Sequence, residues 1–517
     1  MPATDGRRAF CPAANPGRDG ALGDWGDAGI AYLDVPFEIE LKLETTPADL
    51  ARLRGSPLLK GKGGTTERLV SHYFDTPDRT LHRAGYTLRV RATAHGRIQT
   101  VKLDAGHAGG LFVRPEWERP LKGPRPVIER DGPLAALVAA RDLRVAFVTD
   151  VERDARNVSA GGALIEVALD DGSIRARKRK SGLCEVELEL KGGAPEPLFA
   201  LARELNALVP LRIGVRSKAE RGYALAEGKD MAAAKAEPIA LDSDADAREG
   251  FAAIAFACIH HFRRNEPRLL ATGAVEALHQ SRVALRRLRS SFSSFESLLA
   301  ADARAHMLDE ELRWLAGELG KVRDLDVLIP KIDGQGRRRL ADARATALGD
   351  ARTALDSLRA RKLMIDLAEW LAIGAWRTRP AEPLLASEPV RAIARDILER
   401  HRKRLKKRGR HLAGLSDQAR HKARIEAKKL RYAAEFFASL WTSKQAKARH
   451  DSFLKALEKL QDRLGELNDR ATAADLLERH GVEVPAPDLG DKTLLRKAAK
   501  AFDDLMGIKP FWGRYAK

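Results

Sequence analysis

The sequence predicts an α+β protein of more than one domain: an antiparallel β sheet or barrel, then an all-α region of two helical bundles. Three observations carry that expectation. Between Phe37 and Tyr223 apolar residues recur mostly with period two, in short runs broken by Gly, Pro and Asp, the pattern of many short antiparallel strands. From Ala247 onward Ala, Leu, Arg and Glu recur at three-to-four spacing with few β-branched residues, which is the helical period. Within that second region His279–Arg289 matches His421–Arg431 at a constant offset of 142, so a helical unit is repeated.

In chain order, residues 1–30 are rich in Gly, Ala, Asp and Pro without periodicity and read as a disordered leader. Strands are expected at Phe37–Leu43, Thr87–Arg91, Gln99–Leu103, Leu111–Glu118, Arg144–Arg153, Ala163–Leu169 and Cys184–Leu190. Helices interrupt them around Pro47–Leu53 and Glu196–Leu208. The strand-rich domain is placed at residues 31–226, a linker at 227–246 and the helical region at 247–517. Pro380, Pro383 and Pro389 mark a loop between the two bundles.

Composition narrows the function classes. The 517 residues carry 91 Lys+Arg against 72 Asp+Glu, a net charge of +19. Residues 241–517 hold 54 basic and 39 acidic side chains, a net of +15, which leaves +4 for residues 1–240. A 44% hydrophobic content supplies buried cores and excludes a wholly disordered or collagenous chain. Aromatics at 6% are too few for base-stacking platforms. Cys11, Cys184 and Cys258 lack CxxC spacing, which excludes a disulfide scaffold or a cysteine-zinc site. No apolar stretch reaches the length of a membrane span, and the N-terminus lacks the apolar core of a signal peptide. A cytoplasmic protein that meets an anion is expected.

The chemistry sits in the strands. In Phe37-Glu-Ile-Glu-Leu-Lys-Leu43 alternation puts Glu38, Glu40 and Lys42 on one face. In Cys184-Glu-Val-Glu-Leu-Glu-Leu-Lys191 three glutamates, Glu185, Glu187 and Glu189, align likewise. Between them come basic strands bearing Arg89 and Arg91, Lys102, and Arg114 with Glu116 and Glu118. A wet sheet face accounts for any one of these strands. Repeated like charges repel, so their recurrence calls for partners. Carboxylates gather favourably around Mg²⁺ or Mn²⁺, which prefer hard oxygen ligands; Arg and Lys gather around a polyanion. Closed into a barrel, both sets would face one lumen, where metal ions bridge to a phosphate chain.

Glu38-x-Glu40-x-Lys42 resembles the opening signature of the CYTH superfamily, the triphosphate tunnel metalloenzymes. Support comes from Tyr73-Phe-Asp-Thr-Pro77, Leu81-His-Arg-Ala-Gly85 followed by Leu88-Arg-Val-Arg91, and Leu169-Asp-Asp-Gly172. The glutamate strand to Lys191 and Ser217-Lys-Ala-Glu-Arg-Gly222 complete a set in the right order from Phe37 to Leu225. The resemblance implies an N-terminal eight-stranded antiparallel β-tunnel that binds triphosphate compounds with Mg²⁺ or Mn²⁺. It implies that Glu38, Glu40, Glu185 and Glu187 are catalytic, holding metal together with Glu189 and orienting water. It implies that Lys42, Arg89, Arg91, Lys102, Arg114, Arg153 and Lys218 hold the phosphates. Val148 and Asp150 depart from the pattern, standing where basic or polar residues are expected near the tunnel. Either Asp170 or Asp171 is left to face it.

In the second region His279, Arg282, Arg286 and Arg289 fall at i, i+3, i+7 and i+10, one helix face; His421, Arg424, Lys428 and Arg431 fall identically. A row of like charges is unfavourable without a counter-ion. A second match sets Leu319-Gly320 and Arg323-Asp324 against Leu464-Gly465 and Asn468-Asp469, so the halves are not equivalent. Joined by a pseudo-twofold axis, the two faces would line a channel suited to a long, flexible polyanion. These residues resemble the CHAD domain, the conserved-histidine α-helical domain that often follows CYTH, from Ala247 to Trp512. The resemblance implies two pseudo-twofold-related helical bundles that bind inorganic polyphosphate through the two faces and Arg323. It also implies association of some members with polyphosphate granules. The run Arg402–Arg410 has no helical face of its own and widens the electrostatic footprint.

Together these features predict a metal-dependent inorganic triphosphatase, cleaving tripolyphosphate to pyrophosphate and phosphate, with a polyphosphate-binding second domain. The alternatives are an enzyme of organic triphosphates, an adenylate cyclase or thiamine triphosphatase, and a non-enzymatic granule protein. Neither a membrane nor a sequence-specific nucleic acid is expected as partner.

Overall fold

A computed structural model describes residues 37–59, 64–103, 107–228, 232–378, 388–483 and 491–513. The expected leader, Cys11, Pro380 and Pro383 lie outside the described residues. The described residues form two compact units, one within 1–232 and 364–378, the other within 233–363 and 379–517.

The first unit contains β1 (Phe37–Glu44), β2 (Thr65–Asp75), β3 (Tyr86–Thr93), β4 (Gly96–Leu103), β5 (His107–Ala108) and β6 (Leu111–Leu121). It continues with β7 (Arg144–Ala160), β8 (Ala163–Ala176), β9 (Arg179–Gly192) and β10 (Arg212–Ile213). All pairings are antiparallel. The order β1-β9-β8-β7-β2-β3-β4-β6 returns from β6 to β1 and closes an eight-stranded ring, with the two-residue β5 and β10 at its margin. Closure removes the exposed strand edges.

Alternation then sorts the side chains. Arg89 and Arg91 point inward while Leu88 and Val90 join Phe74, Leu81, Val101, Leu134 and Leu143 in a core outside the wall. Asp75 links two of the sequence motifs across that core. Its carboxylate accepts the Leu81 and His82 backbone N–H groups at 2.9 and 3.0 Å and the Tyr223 hydroxyl at 2.8 Å. Helices α1 (Pro47–Arg54), α2 (Thr80–Arg83) and α3 (Glu196–Leu208) follow the expected interruptions, with α2 added. Helix α4 (Lys218–Glu227) starts at a capping box formed by Ser217 and Glu220. Its Ala219, Tyr223 and Leu225 pack on Tyr73, Phe147, Val151, Ile174 and Leu183. A Cβ at Gly222 would stand 2.2 Å from the Phe147 ring, so the helix packs this closely only with glycine there. In the same unit Arg203 on α3 pairs with Asp366 at 2.7 Å and with Glu369.

The second unit is helical: α5 (Ala247–Thr272), α6 (Val275–Ser294), α7 (Glu296–Leu299), α8 (Ala303–Leu328), α9 (Gly334–Asp356), and the start of α10 (Leu358–Ile373). After the undescribed stretch come α11 (Val390–Arg408), α12 (Asp417–Phe436), α13 (Lys444–Arg479) and α14 (Asp491–Gly507). Neighbours repeat: α5, α6, α8 and α9 pack in succession, and so do α11, α12, α13 and α14. Between the halves like meets like, α6 on α12 and α5 on α11, the contact pattern of a pseudo-twofold. Phe295 and Phe437, equivalent at the offset of 142, bring their ring centroids to 6.1 Å across it. Residues 233–246, expected as linker, pack into this unit. Ala234 and Ile239 are buried, and the Asn265 side chain donates to the Ala234 carbonyl at 2.9 Å. Among the described residues no helix is long and apolar enough to cross a membrane.

Candidate functional site

The barrel encloses a cavity of about 490 Å³. All seven expected phosphate-binding residues line it: Lys42, Arg89, Arg91, Lys102, Arg114, Arg153 and Lys218. Glu38, Glu40, Glu187 and Glu189 line it as well, and the structure adds Glu116, Glu118, Glu166, Lys191 and Tyr73. Ala219 is the single aliphatic side chain among these lining residues.

Cations and carboxylates interleave. Lys102 reaches Glu38 at 2.6 Å and Glu116 at 3.1 Å. Arg114 reaches Glu38 at 3.1 Å and Glu40 at 2.5 Å, and Lys42 pairs with Glu40 at 3.1 Å and with Glu187. Burial pushes Glu38 up, but Lys102, Arg114 and Lys42 outweigh it and hold Glu38 far below the usual carboxylate range. Arg91 differs. Among the described residues it pairs with no carboxylate, its Nε donating to Ser71 Oγ at 3.4 Å. Burial, with Arg89 and Arg153 beside it, lowers it to about 10.

Two acidic groups have different characters. Deep in the wall, oxygens of Asp170, Glu185 and Glu187 lie within 4.8 Å of one another. Lys218 Nζ sits among them at 2.7, 2.6 and 2.8 Å, and Arg153 grips Asp170 with two bonds of 2.7 Å. That cluster holds Lys218 as an internal cation, as Glu38 and Glu40 hold Lys102, Arg114 and Lys42, and of its three acids Glu187 lines the cavity. The second group is open to the lumen. Strand register puts Glu40 directly opposite Glu189, and Glu189 opposite Glu166. Burial raises Glu189, and Glu38 and Glu166 add to the rise against Lys191, which is 2.6 Å away. Opposed carboxylates in a row repel, and hard oxygen donors so arranged fit a divalent cation.

The open choice between aspartates resolves to Asp170, fully buried on the tunnel side. Val148 and Asp150, the two departures from the family pattern, do not line the cavity. Alternation along β7 turns Arg153 inward and Asp150 outward, where the exposed Arg68 binds it at 2.8 Å. Tyr73 escaped the sequence reading as a lining residue. Its ring stacks on Phe147 at 4.4 Å, and although burial raises its phenol, Arg89, Lys218 and Arg91 bring it below the ordinary value.

In the helical unit the two repeated faces do converge. Arg282 and Arg286 of α6 stand in the electrostatic field of Arg424 and Lys428 of α12, with Arg323 and Asp324 of α8 and Asp469 of α13 around them. Burial, Arg286, Arg424 and Arg282 push Lys428 down to about 7, and burial with Arg286 and Arg323 lowers Arg282 to about 10. The repeated glycines admit these side chains: a Cβ at Gly320 would lie 2.5 Å from Arg282 Nη1, and Gly465 faces Arg424 at 3.8 Å. His421 Nδ1 lies 2.6 Å from Asn468 Oδ1, whereas the equivalent His279 is lowered by burial and by the charge of Arg323. The last cation of each face is committed elsewhere, Arg289 to Asp309 at 3.0 Å and Arg431 to Glu435 at 3.6 Å. The basic run ends α11 with Leu405 buried, Arg402 donating to the Met506 carbonyl at 3.0 Å and Arg408 to Glu426 at 2.9 Å.

Residues 36–223 match the CYTH domain family model, and residues 253–478 match that of the CHAD domain. The chain is a CYTH domain followed by a CHAD domain. An inorganic triphosphatase of Haemophilus influenzae is 31% identical over 201 residues, 36% of this chain and 54% of that protein. The chain thus spans about half the length of this curated relative. The CHAD domain of the plant Ricinus communis is similar at 30% identity over 55% of this chain and 93% of that one, with a TM-score of 0.43. A putative adenylate cyclase of Bacillus halodurans matches at 19% identity over 36% of this chain and 96% of that one, TM-score 0.27. A putative adenylyl cyclase of Hippeastrum, described as having a dominant triphosphatase activity, matches at 18% over 37% and 96%, TM-score 0.29.

Proposed function

We propose that the CYTH domain hydrolyses inorganic tripolyphosphate to pyrophosphate and phosphate, and that the CHAD domain binds inorganic polyphosphate. The observation that carries the first part is the composition of the lumen. Fifteen of its twenty lining residues are charged, and the others are Tyr73, held by stacking, Thr87, Thr100, Ser217 and Ala219. Such a wall suits a chain of phosphates and offers no apolar recess for a nucleobase or a thiazole ring. The Haemophilus relative's description as an inorganic triphosphatase agrees with this reading.

Glu38, Glu40 and Glu189 are the residues we assign to a divalent cation, Mg²⁺ or Mn²⁺. The cation, when bound, supplies Lewis-acid charge to a phosphoryl oxygen and acidifies water. Lys42, Arg114 and Arg153 hold phosphate oxygens through charge-assisted bonds, with Arg89, Arg91 and Lys102 extending the grip along the tunnel. Asp170, Glu185 and Glu187 hold Lys218, which lines the cavity. Arg91, without a carboxylate partner among the described residues, has the least to exchange when phosphate arrives.

In the CHAD domain, His279, Arg282, Arg286, Arg323, His421, Arg424 and Lys428 form the polyphosphate face, and Arg289 and Arg431 flank it. A cytoplasmic location and attachment to polyphosphate granules belong to this same reading. Phosphate release from tripolyphosphate by the purified chain with added metal tests the first part. Salt-sensitive retention of polyphosphate, lost when Arg282, Arg286, Arg424 and Lys428 are neutralised together, tests the second.

A further inference from the structure

We propose that Lys191 is a placeholder for the divalent cation: its ammonium holds Glu189 and Glu166 together, yields them to the metal, and then turns to a phosphate oxygen. The proposal rests on the reading of the tunnel as a metal-dependent phosphate site, and it names the residue that couples the two ligands there.

Strand β9 carries Glu187, Glu189 and Lys191 at alternate positions, and all three line the cavity. Register sets Glu189 between Glu40 on β1 and Glu166 on β8. Carboxylates opposed in this way across neighbouring strands repel, so a cation among them is favoured. Lys191 supplies it, with Nζ 2.6 Å from Glu189 Oε1 and 4.0 Å from Glu166 Oε2. Among the described residues no other cation lies within ion-pair distance of either acid.

The other tunnel lysines are held more firmly. Lys42 joins Glu40 to Glu187, Lys102 joins Glu38 to Glu116, and Lys218 serves Asp170, Glu185 and Glu187. Their side chains are 3%, 12% and 10% exposed, whereas that of Lys191 is 37% exposed. Its two acids are also open, Glu189 at 26% and Glu166 at 28%. Pulling a cation out of a buried pair leaves an uncompensated charge, which is strongly unfavourable. A pair as open as Lys191 and Glu189 contributes little and exchanges readily with solvent. Lys191 is thus the tunnel lysine that can leave its acids with least penalty. Its departure presents Glu189, Glu166 and Glu40 as hard oxygen donors, which suit a divalent ion. The released ammonium still belongs to the cavity wall, where a phosphate oxygen can take the place of the lost carboxylate. When the metal binds alone, Lys191 loses its partner; when tripolyphosphate binds as well, Lys191 gains a new one. The two ligands therefore favour each other through Lys191.

The test titrates the full chain with Mn²⁺ and reads free Mn²⁺ by electron paramagnetic resonance. Lys191→Ala and Lys191→Gln should each bind Mn²⁺ at least about fivefold more tightly than the parent chain. Lys191→Arg, which keeps the charge, should stay near the parent, and Glu189→Gln should bind more weakly. In a second measurement at saturating tripolyphosphate, the Mn²⁺ concentration for half-maximal phosphate release should not fall in Lys191→Ala. That split separates exchange from a mere change of field, because deleting a nearby positive charge would tighten Mn²⁺ alike with and without substrate. Unchanged or weaker Mn²⁺ binding by both neutral variants, with far-UV circular dichroism retained, would overturn the proposal. So would equal tightening in the two measurements. Either result, with Mn²⁺ binding still weakened by Glu189→Gln, leaves the metal reading standing. Mn²⁺ binding that Glu189→Gln does not alter, or that parent and Lys191→Ala both lack, overturns the metal reading of these acids and the placeholder with it.

Discussion

Lys218 stands at the centre of three buried carboxylates, Asp170, Glu185 and Glu187, while Glu189 has like charge opposite it on both neighbouring strands, Glu40 and Glu166. The buried cluster around Lys218 and the acid Glu189 should thus respond differently to substitution. Lys218→Met strands three buried carboxylates and should cost about 3–5 kcal/mol, read as a fall in the urea midpoint. Glu189→Gln removes a repelled charge and should leave thermal stability equal or higher, while metal-dependent phosphate release falls by at least about tenfold. Destabilisation by Glu189→Gln comparable to that of Lys218→Met would contradict the division of roles. Lys428 gives a pH-dependent counterpart. Its folded value of about 7 lies below the ordinary lysine value, so the unfolded chain binds more protons between them. Stability should therefore rise with pH from about 7 toward 10, and polyphosphate affinity should fall over the same window because binding takes up a proton. Urea midpoints of the full chain and of Lys428→Met, measured across that window, should diverge in slope.

At the scale of elements, strand alternation and helical repetition were the legible features. Glu38, Glu40, Lys42, Arg89, Arg91, Lys102 and Arg114 reach one lumen because period-two charge has a single inner face to occupy once the ring closes. The strand β2 gave little signal, since Tyr73 is its one cavity-lining residue and its Asp75 caps a helix. Tyr73 and Asp170 were hidden for a related reason: an inward tyrosine reads as core, and two adjacent aspartates do not reveal which one faces in. Glu166 and Lys191 became site residues only through register with Glu189. In the helices, the offset of 142 predicted that α6 and α12 meet, but not that Arg289 and Arg431 are spent on Asp309 and Glu435. Gly320 is the glycine that stands against Arg282. Gly320→Val should displace Arg282 and weaken polyphosphate binding by about 1 kcal/mol, roughly fivefold in Kd, with helicity retained. Unchanged affinity in that variant would remove Arg282 from the site.

For the molecule as a whole, the net charge of +19 divides into unequal parts with different internal order. The first 240 residues sum to only +4, yet their barrel concentrates interleaved carboxylates and cations within about 490 Å³. The helical region carries +15, and its converging face has more guanidinium and ammonium groups than the two aspartates near it can balance. Both arrangements are suited to phosphate chains. They differ in that the tunnel sets Glu40, Glu189 and Glu166 opposite one another on neighbouring strands, the acids proposed to hold a metal lying there and not on the helical face. Turnover should accordingly follow the tunnel carboxylates and retention the helical cations. The most direct measurement is phosphate release from tripolyphosphate by the full chain, with Mg²⁺ and with Mn²⁺, beside Glu38→Gln. The account predicts metal-dependent conversion to pyrophosphate and phosphate, lowered about a hundredfold or more in Glu38→Gln. Absence of metal-dependent release between about pH 6 and 10, in a folded chain that still binds polyphosphate, would contradict it.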